Sequence, residues 1–214
     1  MLSLDSIFNA FITLFVTIDP IGNAPIFLGL TAGMSAAVRR SIALRGTGIA
    51  FCILTLFALT GTAVLDAIGI TIDAFRIAGG LLLFVTAFDM IYGRRQERRE
   101  EASNEAAADH LSDLAVFPLA LPLLAGPGTI SATILLSSQL SSGDSVSGWV
   151  GIGTLVGILA VMMILTAGIL IAAHALDKVM GTTGKLVITR LLGVLLAALA
   201  VQYVADGVLA FIAH

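Results

Sequence analysis

The chain has 214 residues, of which 58% are hydrophobic and 12% charged, with a net charge of −3 and a mean hydropathy of +1.05. A soluble domain carries about 25% charged residues, so too little charge remains here for a water-facing surface. One cysteine, Cys52, excludes an intramolecular disulfide, and no metal-ligand spacing or phosphate loop is present.

In chain order, the first apolar segment runs from Leu4 to Leu30 and reads as span 1; a basic leader region and a cleavage site are absent from MLSLDSIFNAFITLFV. The stretch TIDPIGNAPIF interrupts it near Asp19 to Asn23. Span 2 is expected over Ser41–Leu65 and span 3 over Ile72–Tyr92. The polar run Gly93–Asp113, GRRQERREEASNEAAADHLSD, reads as a charged linker between residues 1–92 and residues 114–214. Span 4 is expected over Leu114–Ser137, interrupted near Pro122 to Pro127, span 5 over Trp149–Ala173 and span 6 over Leu186–Phe211. Each is long enough to cross a hydrocarbon core of about 30 Å. Backbone groups in lipid must be satisfied internally, and period-2 alternation is missing, so the spans are helices and not barrel strands. The expected fold is an all-α integral membrane protein of six spans. Lipid is its solvent, and nothing in the composition suggests nucleic-acid binding.

Six spans place Arg39, Arg40, Arg45, Arg94, Arg95, Arg98, Arg99, Lys178, Lys185 and Arg190 on one side and Arg76 alone on the other. The positive-inside rule makes the basic side cytoplasmic and puts both termini in the periplasm.

Four of the five prolines form two pairs, Pro20 with Pro25 and Pro122 with Pro127, each five residues apart. Further on, Asp66-x-x-Gly69 resembles Asp177-x-x-x-Gly181, and Arg76-x-x-Gly79 resembles Arg190-x-x-Gly193. Two similar halves with an odd number of spans each must cross the membrane in opposite senses, which gives two inverted three-helix repeats with broken helices in spans 1 and 4. In secondary transporters such paired breaks mark the substrate site. Many prolines in membrane helices only kink the helix, and that reading stands beside the functional one.

A broken helix exposes N–H groups at one end, which favour anions, and C=O groups at the other, which favour cations. Two breaks meeting near the midplane could therefore hold a zwitterion. The candidate substrate-binding residues are Pro20, Gly22, Asn23 and Pro25 from span 1 and Gly126, Pro127, Gly128 and Thr129 from span 4. Asp19 is the candidate ion-coupling residue, because a mid-span carboxylate costs about 2.5–3.5 kcal/mol unless it meets a cavity, a partner or an ion. It could equally cap freed N–H groups. Asp89, Gln202, Tyr203 and Asp206 read as interfacial, Trp149 as an interfacial anchor, and Gly29-x-x-x-Gly33 and Gly153-x-x-x-Gly157 as close-packing motifs.

The run Asp19-Pro20-Ile21-Gly22-Asn23-Ala24-Pro25-Ile26-Phe27, the run Ala125-Gly126-Pro127-Gly128-Thr129-Ile130 and the six-span length resemble the MarC family of inner-membrane proteins. The resemblance covers essentially the whole chain. It implies a bacterial inner-membrane protein with inverted repeats and discontinuous helices in spans 1 and 4. An archaeal member transports small neutral amino acids, glycine and alanine among them, on a cation gradient. The resemblance thus implies a secondary transporter rather than an enzyme, needing no cofactor beyond a coupling Na+ or H+, with Pro20, Gly22, Asn23, Pro25, Gly126, Pro127 and Gly128 lining the site. Alternatives are an exporter of another metabolite or drug, a passive channel and an intramembrane enzyme.

Overall fold

A computed structural model describes residues 4–93, 113–141 and 145–213, all of its regular structure being helical. The helices are α1 (Leu4–Ile18), α2 (Pro20–Leu30), α3 (Ala36–Ala67), α4 (Ile72–Ile91), α5 (Ala115–Leu124), α6 (Pro127–Leu140), α7 (Ser145–Ile171) and α8 (Ala173–Ala213). Five stretches are long and apolar enough to cross a membrane: Leu4–Leu30, Ala36–Ala67, Ile72–Ile91, Gly148–Ile171 and Thr183–Ala213. A sixth is assembled from α5 and α6, bent by 60° at their junction. The expected linker falls almost wholly on residues 94–112, outside the described residues.

Local chemistry sets most of the boundaries. Ser35 caps α3 by accepting from the Val38 amide at 3.4 Å, and Thr71 caps α4 through Ala74 at 3.2 Å. The caps explain why α3 begins five residues before the apolar run that marks span 2: a capped turn needs no lipid. Gly69, at φ 76°, makes the turn from α3 to α4, which a side chain would disfavour. Gly181, at φ 59°, breaks α8, so the stretch Ala173–Met180 is a separate short helix ahead of the span. Across that break the Lys185 ammonium donates to the Asp177 carboxylate, and the hydrogen bond and charge of Lys185 hold the Asp177 carboxyl below its usual range.

The centre of the molecule is α6. Nearly every residue from Thr129 to Ser137 is buried, on all faces, which is the signature of a helix enclosed by others. It is surrounded by α1, α3, α4 and α7. The main apolar core lies beside it, where Leu14, Ile18, Phe27, Leu54, Leu123, Leu124 and Leu155 are each at most 1% exposed. A second cluster joins Val16, Leu83, Met90, Leu135, Leu196 and Tyr203. Outward, large apolar side chains such as Leu56, Ile164, Leu191 and Ile212 are bare, as lipid-facing positions should be.

The close-packing glycines are not the ones expected. Gly29, Gly33, Gly153 and Gly157 have nothing within 4 Å of a would-be side chain. A Cβ on Gly80 would sit 2.8 Å from Val204, one on Gly193 would sit 2.9 Å from Met90, and one on Gly207 would sit 2.8 Å from Ile77. These three bring α4 and α8 into backbone-to-side-chain contact along their length. Spacing of four residues identifies a face that could pack closely, but it does not say which face meets a partner.

Candidate functional site

Span 1 is interrupted at one residue. Asp19 adopts the left-handed conformation, φ 52° and ψ 64°, between the end of α1 and the start of α2. Among non-glycine residues, Asp and Asn tolerate this region best, because the short polar side chain can bond locally. Here it does: the Gly22 amide donates to Asp19 Oδ1 at 3.0 Å. Pro20 follows at the first helical position, where its missing N–H costs nothing. The expected cap is therefore present, and Asp19 is 2% exposed. Gly22 is required by the same arrangement, since a Cβ there would fall 2.2 Å from Asp19 Oδ2.

Span 4 is interrupted over a longer stretch. Residues 115–124 coil in wide turns, with Leu119 N–H donating to Leu114 O at 3.3 Å and Ala125 N–H to Ala120 O at 2.9 Å, five residues back. Phe117 and Leu121 are extended, as residues before proline tend to be, and the peptides to Pro118 and Pro122 are cis. The helix restarts at Pro127 with Gly126 as its N-cap and no side-chain cap.

The two proline pairs therefore do different jobs. Pro20, the first of its pair, begins α2, while Pro127, the second of its pair, begins α6; Pro25 lies inside α2 and Pro122 inside α5. The five-residue spacing recurs in sequence, but the helix restarts do not superpose on it. A proline is admissible both in the first turn and before an extended residue, and its spacing cannot distinguish the two.

The breaks touch. Asn23, fully buried, donates through Nδ2 to Ile18 O at 2.8 Å and to Leu123 O at 3.4 Å. Both acceptors are carbonyls that a break has released. The amide four residues after Ile18 belongs to Gly22 and is turned to Asp19, and the residue four after Leu123 is Pro127, which has no N–H. From the other side, Thr129 Oγ1 reaches Thr17 O at 3.5 Å, the outer limit of a hydrogen bond. The bond within span 1 is short and the contacts between the spans are long. Pro20, Asn23, Gly126 and Thr129 are buried at this junction, Gly22, Pro25 and Gly128 are half-buried, and a Cβ on Gly128 would sit 3.1 Å from Thr86 Oγ1 of α4. Pro127 is exposed and does not join them.

Electrostatically the two helix starts differ. One amide in the first turn of α2, that of Gly22, donates to its own chain's carboxylate, whereas α6 opens with no side-chain cap. An anion is thus favoured at α6, and a cation beside Asp19 and the freed carbonyls. Among the described residues no three His, Cys, Asp or Glu side chains converge to hold a metal.

Tyr203, expected at an interface, is 4% exposed and packs in the cluster with Val16 of α1, Leu135 of α6 and Leu83 of α4. Asp89 is likewise buried, at 9% exposure, and partnered. Depth along a span is legible from position, but the face a side chain occupies is set by which helices surround it.

Comparison with known proteins agrees with the architecture. Residues 4–212 match the MarC family integral membrane protein description. A UPF0056 membrane protein of Archaeoglobus fulgidus is 39% identical over 210 residues, covering 94% of this chain and 91% of its own. The UPF0056 membrane protein YhcE of Escherichia coli is 35% identical over 201 residues, with coverage of 94% and 91%. The UPF0056 membrane protein YvbG of Bacillus subtilis is 36% identical over 206 residues, with coverage of 94% and 93%. No solved structure matches. With nearly the whole length matched at these identities, this multi-pass membrane protein belongs to the MarC family.

Proposed function

We propose that the chain is a secondary transporter of small neutral amino acids, of the size of glycine or alanine, in the inner membrane, driven by a proton or sodium gradient. The observation that carries this reading is the Asn23 bridge between carbonyls freed by two different helix breaks. A zwitterion has the polarity to replace that bridge: its carboxylate meets the uncapped start of α6, and its ammonium meets the Leu123 and Ile18 carbonyls beside Asp19. The long contacts between the spans are the ones substrate entry has to part. An inverted repeat would fit the same reading, and in its favour Gly69 and Gly181, whose neighbourhoods resemble each other in sequence, both take positive φ at the end of a helical segment.

Counterflow in proteoliposomes tests it. Vesicles loaded with unlabelled glycine or alanine should transiently accumulate the labelled amino acid above its external level. Failure of every neutral amino acid to do so would overturn the substrate class. Uphill uptake on an imposed gradient distinguishes a coupled transporter from a passive channel.

The orientation belongs to the same proposal. Ten of the eleven basic residues lie on the side of the loops after spans 1, 3 and 5, which makes that side cytoplasmic. In a Cys52→Ser background, Ser142→Cys should react with an impermeant thiol reagent added to intact cells, and Ser103→Cys should react only after lysis. The reverse pattern would invert the topology.

A further inference from the structure

Helices α3 and α7 pack together in the core, but on their outer side they part. A groove of about 400 Å³ lies between them, walled by Leu44, Gly48 and Phe51 of α3 and by Ala160, Gly168 and Ile171 of α7. The two glycines keep it open, since a Cβ on either would have no atom within 4 Å. Among the described lining residues only Thr47 is polar, and its hydroxyl already donates to Ala43 O at 2.8 Å. The walls therefore offer nothing to a polar solute. From Ala160 to Ile171 the groove extends about 16 Å along α7, at a helical rise of about 1.5 Å per residue. That is one leaflet, roughly half of a hydrocarbon core about 30 Å thick.

One end of the groove is basic. Helix α3 leaves the basic side of the molecule and α7 returns to it, so Leu44 and Ile171 lie at that end and Phe51 and Ala160 at the inner one. Arg40 stands one turn before Leu44, on the helical face that Leu44, Thr47, Gly48 and Phe51 share. It is exposed and has no carboxylate partner among the described residues, whereas Arg45 is taken by Asp113 at 2.8 Å. His174 and Lys178, also exposed, follow Ile171 within two turns. The one acidic group in that stretch, Asp177, is held by Lys185.

We propose that this groove is a binding site for a phospholipid with an anionic head group, one acyl chain lying between α3 and α7 and the phosphate resting on Arg40. The inference stands apart from the transporter reading. The length of the groove suits a chain that spans one leaflet, its walls suit hydrocarbon, and its mouth carries the opposite charge to the head group. A guanidinium can hold a phosphate through two parallel N–H bonds. Basic side chains at a membrane surface attract anionic lipids in the same way. A choline lipid presents the same phosphate together with a cation that Arg40 repels, so the site discriminates by head-group charge. A chain seated there completes the contact between α3 and α7 where their own side chains leave it open.

Fluorescence quenching tests it. Trp149 is the single tryptophan, so Trp149→Phe with Phe51→Trp places one reporter in the groove. Trp149→Phe with Leu191→Trp places it on the lipid-facing surface of α8, where the side chain is 61% exposed. The full chain is reconstituted in vesicles of equal parts phosphatidylglycerol and phosphatidylcholine, with brominated chains on one lipid at a time. Quenching at position 51 should report phosphatidylglycerol over phosphatidylcholine by about fivefold, the preference that one basic side chain near a bilayer surface supplies. Position 191 should report the two lipids in their bulk proportion. Arg40→Gln should bring position 51 to parity, while Arg39→Gln, on another face of α3, should leave the excess in place. Gly168→Leu puts a side chain into the groove and should remove the excess with Arg40 intact. Parity at position 51 in the parent, or an equal excess at position 191, would overturn the proposal. So would a loss from Arg39→Gln as large as that from Arg40→Gln, which marks diffuse surface charge. An excess that survives Gly168→Leu would place the lipid outside the groove and overturn it as well.

Discussion

Gly126→Ala should lower the initial rate of amino-acid uptake about tenfold or more, the factor that ~1.4 kcal/mol produces. The α6 start has no room for a methyl group. A Cβ at Gly126 would lie 2.6 Å from the carbonyl oxygen of Pro122. That oxygen is backbone, held within the wide coil of α5, so no rotamer change relieves the overlap. The 60° bend between α5 and α6 would have to open. Opening it would displace Leu123 O from Asn23 and Thr129 from Thr17 O, the two contacts that join the breaks. Overpacking of this kind costs about 1–3 kcal/mol, read as a lower midpoint of thermal unfolding in detergent. Gly153→Ala and Gly157→Ala serve as controls, because nothing lies within 4 Å of a Cβ at either position. They should be neutral or slightly stabilising, as Ala is about 1 kcal/mol better than Gly in a helix interior. Normal uptake by Gly126→Ala would mean the bend plays no part in transport.

Asp19→Asn should retain the fold and lose coupling. Asn is about as good an N-cap as Asp and is at home in the left-handed region, so the Gly22 amide keeps its acceptor. Thermal stability should change little, since Asn keeps both the cap and the backbone conformation. Asp19→Ala, by contrast, removes the cap, at about 1 kcal/mol, and forces a left-handed alanine, at roughly 1–2 kcal/mol more. The Asn variant thus isolates the charge from the cap. If the carboxylate binds the driving ion, gradient-driven uptake by Asp19→Asn should fall at least about tenfold, equivalent to ~1.4 kcal/mol of coupling. Exchange of substrate at equal concentrations should suffer less, since exchange need not release the ion. Dependence on sodium at fixed pH identifies a sodium site, and dependence on the pH gradient without sodium a proton site. Uphill accumulation by Asp19→Asn equal to that of the parent would leave Asp19 as a cap alone.

Hydropathy located the spans because burial in lipid is a property of whole segments. The run Ser41–Leu65 falls inside α3, and Ile72–Tyr92 ends one residue past α4. The end of α1 at Ile18 and the capping option for Asp19 were equally legible, but the restart, expected near Asn23 to Pro25, comes already at Pro20, because Asp19 takes up the whole break in one left-handed residue. The helix Ala173–Met180 was not foreseen, because only the geometry at Gly181 separates it from the span that follows. The wide coil of α5 was also invisible, since Pro118 and Pro122 are compatible with a kinked helix or with extended residues before each proline. Burial of Tyr203 depended on three helices assembling around it. Such information is spread over residues far apart in the chain and has no local pattern.

The contact between α4 and α8 bears on which parts of the molecule can travel together. One helix closes the first half of the sequence and the other closes the second, and the two meet at Gly80, Gly193 and Gly207 with no side chain between them on those glycine faces. Meanwhile α3, from the first half, lies against α5, α6 and α7 of the second. Sliding one half past the other would therefore tear this close packing apart. The packing groups helices across both halves instead, with α4 and α8 together on one side and α3, α5 and α7 together on the other. The two halves of the sequence and the two packed groups of helices are then different divisions of the same chain, and α1 and α6 stand where the second division would pass.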